Sequence, residues 1–119
     1  MKTIGLRAST SYVVFAIFCS ETREILNVEK IKIPNALFTP EALKYVRATF
    51  LDILREYDVF QAGIRVSEGN AQNLSFRRIE IEGVLQEAFA SSPLEKYFIG
   101  RIANISSKLG FDRSCFKPF

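Results

Sequence analysis

Histidine and tryptophan are absent from the 119 residues, cysteine occurs twice and methionine once. Without histidine there is no Ser-His-Asp or Cys-His catalysis, no imidazole acid or base near neutral pH and no imidazole metal ligand. Cys19 and Cys115 are too few for a zinc cage in such a chain. Cys19 stands inside an apolar run and reads as a core thiol, while Cys115 stands near the C-terminal end, so no structural disulfide is expected. Membrane-length apolar runs are also lacking. Tyr12 to Cys19 is apolar for eight residues, less than half of what a bilayer crossing needs, and no small-residue cleavage site closes it. The expectation is a cytoplasmic protein with no membrane partner.

Charge of one sign is not in large excess either. Sixteen Lys and Arg against thirteen Asp and Glu leave +3 and a pI near 9.0. That balance permits contact with nucleic acid without requiring it, and a solvated surplus explains it equally well. What is present is apolar bulk: 48% hydrophobic residues, eleven of them Phe, which argues for an ordered core rich in rings. The length fits one domain over 1–110, followed by a Phe-rich tail over 111–119.

Thr3 to Leu6 is a short apolar start, and Ala8 to Ser11 reads as a turn. Tyr12 to Cys19 is β-branched and aromatic, which predicts a strand buried on both faces. Ser20 to Arg23 makes a hairpin-sized break. Ile25 to Ile33 is the next strand, and its apolar positions change phase, which predicts a bulge near Glu29 and Lys30. Thr39 is expected to cap a helix with Pro40 at its first position and Glu41 in its first turn. Leu43, Val46, Phe50, Ile53, Leu54 and Tyr57 give that helix its apolar stripe.

Val59 to Val66 is a further strand, and Ser67 to Asn73 a polar loop. A second helix covers roughly Ser75 to Ala90, with Ile81, Val84, Leu85 and Ala88 inward, and Pro93 follows its end. Lys96 to Ile99 is the last strand, and a third helix runs from Gly100 to Gly110. The order β-β-β-α-β-α-β-α implies three antiparallel neighbours, then two strands joined by right-handed crossovers. The fold class is α/β: one mixed five-stranded sheet with helices on both faces.

That order, with four stretches of sequence, resembles the RuvC-like branch of the ribonuclease H-like superfamily, the Holliday-junction resolvases and their smaller relatives. The stretches are Thr3 to Ser9, Ala62 to Val66, Glu82 to Leu85, and Glu95 to Ile99 followed by Ile102 to Lys108. The resemblance implies a site where carboxylates from the first strand, the fourth strand and a late helix hold two Mg²⁺ ions, which require anionic oxygen ligands. Here the first-strand position is Arg7 and the fourth-strand position is Arg65. The late acids are expected to be missing as well, since the sequence stops at Phe119. At about 6 Å and an effective dielectric near 20, each Arg repels a unit positive charge by roughly 3 kcal/mol, and a dication by about twice that.

Two functions follow from different chemistry. One is a non-catalytic binding module without cofactor, its partner a protein or nucleic acid. The alternative is a Mg-dependent structure-specific endonuclease or resolvase with a site rebuilt from Glu68, Glu82 and Asp112. Arg7 and Arg65 either bind an anion such as phosphate or pair with Glu68, Glu80 or Glu82. Arg77, Arg78, Lys96 and Arg101 form a phosphate-contacting patch if they share a face. Ser67 to Asn73 either reads a partner or is solvated. The tail, with Phe111, Phe116, Phe119, Arg113 and Lys117, either stacks on a partner or covers the sheet edge. A homodimer through the sheet edge or the tail is a further expectation.

Overall fold

The first strand, β1, spans Lys2–Ala8, and a tight turn in which the Ser9 amide donates to the Tyr12 carbonyl (2.8 Å) reverses the chain into β2, Tyr12–Cys19. The computed structural model describes residues 1–66 and 75–100. A second reversal, closed by the Arg23 amide on the Cys19 carbonyl at 2.7 Å, leads into β3, Glu24–Lys32. Helix α1 covers Thr39–Glu56, strand β4 Val59–Arg65, helix α2 Phe76–Ser91 and strand β5 Lys96–Gly100. The five strands form one sheet in the order β3-β2-β1-β4-β5. β1 is antiparallel to β2 and β2 to β3, whereas β4 is parallel to β1 and β5 to β4. The expected α/β sheet and its connections are the observed ones; the third helix lies outside the described residues.

Alternation along the strands divides the sheet into two faces. Ile4, Leu6, Val13, Phe15 and Ile17 join Ala62 and Ile64 in the core beneath the helices. α1 contributes Ala42, Val46, Phe50, Ile53 and Leu54, and α2 contributes Ile81, Leu85 and Phe89. The Phe15 and Phe50 rings meet edge to face, 5.7 Å between centroids. Such a pair adds about 0.5–1.5 kcal/mol to the burial of the rings. β2 is buried from Val13 through Phe18, as its unbroken apolar run predicts. The opposite face carries Thr3, Arg7, Val14, Phe18, Gln61 and Arg65, and there the Gln61 amide donates to the Thr3 hydroxyl at 3.0 Å.

Three local expectations are corrected. The bulge lies at Leu26: Asn27 pairs with Ile17 and Ile25 with Phe18, so Leu26 is the extra residue, and pairing through Glu29 and Lys30 is regular. The phase change reflects edge exposure instead. Ile25, Leu26 and Val28 are all exposed, so the apolar residues in the first half of β3 do not mark an inner face, whereas Ile31 packs against the core. Thr39 is not the cap of α1. Phe38 holds that place, where its ring has no acceptor for a capping hydrogen bond, and the Thr39 hydroxyl accepts from Arg77. Cys19 is a half-exposed free thiol at the end of β2, not a core residue. Cys115 lies outside the described residues.

The connections determine which groups share an end of the molecule. The Ile33 amide donates to the Ser11 carbonyl (2.9 Å), so α1 begins beside the end of β1 that carries Arg7. It ends where Val59 starts β4 opposite Lys2. α2 likewise begins after Arg65 and ends before Lys96, which pairs with Gln61. The two helices therefore run parallel, bridged from the middle of α1 to the last third of α2 by Arg47 Nε on Glu87 Oε1 at 2.6 Å. Both N-termini stand at the end of the sheet where β1 and β4 finish.

Candidate functional site

Arg7 and Arg65 are direct register partners on the parallel strands β1 and β4. Neighbouring strands lie about 4.8 Å apart, so the two guanidinium stems rise side by side. The alignment follows from the sequence: Gly5-Leu6-Arg7 and Gly63-Ile64-Arg65 run in step, residue for residue. Burial lowers the Arg7 pKa most, the positive charges of Arg65 and then Arg78 lower it further, and Tyr12 opposes them. All three lowering causes disfavour the charged form. Among the described residues no carboxylate lies within ion-pair range of Arg7 or Arg65.

Helix α2 brings two more cations to this end. Ser75 caps the helix, its hydroxyl accepting from the Arg78 amide at 3.3 Å. No acidic residue occupies the first turn, where the helix dipole favours one; Arg77 and Arg78 stand there instead. Arg77 Nη1 donates to Thr39 Oγ1 at 3.1 Å and ties the starts of the two helices together. Its buried Nε has no hydrogen-bond partner among the described residues.

Glu82 is the carboxylate that sequence reasoning placed near this end, and it lies in the buried stripe of α2 with 3% of its surface exposed. It accepts from Arg78 Nε at 2.9 Å, one helical turn away. The expected partners for Glu82 were Arg7 and Arg65. Arg78 takes that place because an i,i+4 neighbour on the same helix face reaches without crossing to the sheet. Glu80 is exposed.

The basic patch expected from Arg77, Arg78, Lys96 and Arg101 does not form as one surface. Arg77 and Arg78 start α2, while Lys96 follows its far end, and the rest of the 16-residue helix separates them by about 20 Å. Arg101 lies outside the described residues, as do Glu68, Asp112, the Ser67 to Asn73 loop and the Phe111 to Phe119 tail. Among the described residues no cluster of three or more His, Cys, Asp or Glu could hold a metal ion. None of their helices is long and apolar enough to cross a membrane.

The feature that sequence reasoning missed is the meeting of the two pairs. The arginines of the strands and those of α2 gather at one end because the crossover after β4 returns the helix start to the strand ends. The doublet Arg77-Arg78 two residues after a serine cap was the available signal.

No sequence-family model matches the chain, and no curated protein matches it. Solved structures do. RuvC from Thermus thermophilus is similar at TM-score 0.71 and 15% identity, over 93% of this chain and 70% of the RuvC chain. T. thermophilus RuvC in complex with Holliday junction substrate is similar at TM-score 0.71 and 14% identity, over 94% and 80%. A Bacteroides thetaiotaomicron protein with an actin-like ATPase fold and unknown function is similar at TM-score 0.50 and 9% identity, over 93% of this chain and 38% of that one.

Proposed function

From the ribonuclease H-like fold, in the RuvC-like form that this chain carries, we propose a non-catalytic module that binds the phosphate backbone of nucleic acid at the end bearing Arg7, Arg65, Arg77 and Arg78. One observation carries the reading: Arg7 and Arg65 are register partners, and Arg78 rather than a carboxylate is the next charge acting on Arg7. Planar, permanently charged guanidinium groups match phosphate oxygens. The small net charge is no argument against this, because clustering matters more than the total. Four arginines and two helix N-termini at one end make a local field that +3 spread over the surface does not.

The described residues do not fit a pair of Mg²⁺ ions. Hard divalent cations require anionic oxygens, and the strand positions to which the resemblance assigns them are Arg7 and Arg65 here. Glu82, the described member of the alternative set with Glu68 and Asp112, is already engaged by Arg78. No cleavage step is derived for this chain.

Binding of a fluorescent duplex and a branched junction, titrated at rising salt, tests the proposal. Neutralising about three phosphates gives a slope of log K against log salt near −3. Arg7→Ala and Arg65→Ala should each reduce that slope by about one. A flat salt dependence rejects phosphate binding, and Mg²⁺- or Mn²⁺-dependent cleavage abolished by Glu82→Gln rejects the non-catalytic reading.

A further inference from the structure

The same end carries two groups that phosphate binding does not use. Phe38 is 78% exposed and Phe76 84% exposed, the two most exposed large apolar side chains among the described residues. Phe38 is the residue on which α1 begins and Phe76 the first residue of α2. The Arg77–Thr39 hydrogen bond joins their immediate neighbours, so the rings flank one contact between two parallel helix starts. Neither ring belongs to the core. Helix stability does not explain them. The position of Phe38 favours Ser, Thr, Asp or Asn, and with Phe there the helix lacks a side-chain cap.

We propose that Phe38 and Phe76 form a stacking platform for unpaired nucleobases, set beside the arginines of the same end. The inference rests on the phosphate-binding reading and deepens it by naming the substrate class as single-stranded or locally unpaired nucleic acid. Every base has a flat π face that an exposed aromatic ring can cover, and stacking tolerates any sequence. A continuous duplex hides those faces between its own base pairs, so the platform selects against it. Charge complementarity chooses this occupant over an apolar or basic peptide. Arg77 lies between the rings through its bond to Thr39, Arg78 follows it, and Arg7 and Arg65 add positive charge at the same end of the sheet, while a nucleotide strand brings an anion with each base.

Fluorescence anisotropy of the full chain compares three probes at low salt: a short oligothymidylate, an abasic deoxyribose-phosphate chain of equal length, and a duplex. Oligothymidylate should bind at least about fivefold tighter than the abasic chain. Phe38→Ala and Phe76→Ala should each weaken oligothymidylate about fivefold or more and leave the abasic chain unchanged. Because the chain lacks tryptophan, Phe76→Trp supplies a single reporter. Its emission should be quenched by oligothymidylate and not by the abasic chain. Equal affinity for the two strands, or no quenching, overturns the stacking platform while leaving salt-dependent phosphate binding intact. Failure of all three probes to bind at low salt overturns both readings.

Discussion

Single side chains at strand and helix ends do work that their sequence neighbourhood does not announce. Cys19 stands in an apolar run, yet the chain turns at Ser20 and leaves the thiol at the rim of the sheet. There the Thr22 hydroxyl, followed by the amides of Thr22 and Glu21, holds the thiol pKa below its ordinary value by hydrogen bonds to the thiolate. Alkylation proceeds through the thiolate, so its pH profile reports that stabilisation. In a Cys115→Ser background, Thr22→Val should move the half-maximal pH of iodoacetamide labelling upward, and an unchanged profile would show that the hydroxyl contributes nothing. Glu82 makes the complementary point. Its place in an apolar stripe is tolerable because Arg78 satisfies it from the same helix.

Among the elements, β3 exposes the clearest liability. It is an edge strand with Ile25, Leu26 and Val28 exposed, a template for pairing with a second copy. The expected homodimer through a sheet edge would use such a strand. The bulge at Leu26 works against it. One extra residue interrupts the ladder, twists the strand and puts residues before and after it out of step for regular pairing. Lys30 and Lys32 add charge beyond it. Deleting Leu26 should straighten β3 and produce concentration-dependent association, read by light scattering. A variant that stays at the size of the parent would show that charge alone protects the edge. α1 was legible before its contacts were known, because its apolar residues repeat at helical spacing for five turns. α2 was legible in extent and in most of its buried face: Ile81, Leu85 and Ala88 are buried and Val84 packs against the core, while the burial of Glu82 and Phe89 was not foreseen.

For the whole molecule, the core that carries stability is separate from the arginine end proposed for binding. The core lies between one face of the sheet and the parallel helices, and Phe50 stands at its centre, 1% exposed against Phe15. Phe50→Ala should cost about 3–5 kcal/mol, seen as a lower denaturant midpoint with little change in slope. A loss below about 1 kcal/mol would mean that the helix repacks over the vacancy. The arginine end should not share this sensitivity. Arg7→Ala and Arg65→Ala remove two like charges that face each other, so their effect belongs to binding and salt dependence, and their melting should match or exceed that of the parent chain.

Among the described residues, sequence alone determined the five strands and two helices, their order and the pairing sense of the strands. Short links compel antiparallel neighbours, helical links compel parallel crossovers, and hydrophobic period distinguishes the two kinds of element. It also placed arginine at both strand ends, since the two Gly-apolar-Arg stretches can be read directly. Only the tertiary structure decided which cations meet. Arg77 and Arg78 join Arg7 and Arg65 because two crossovers return the chain to the same end, while Lys96, no farther along in any obvious sense, is carried to the other. Proximity across a sheet depends on register and on the direction of each return, and neither is a property of a local stretch of sequence.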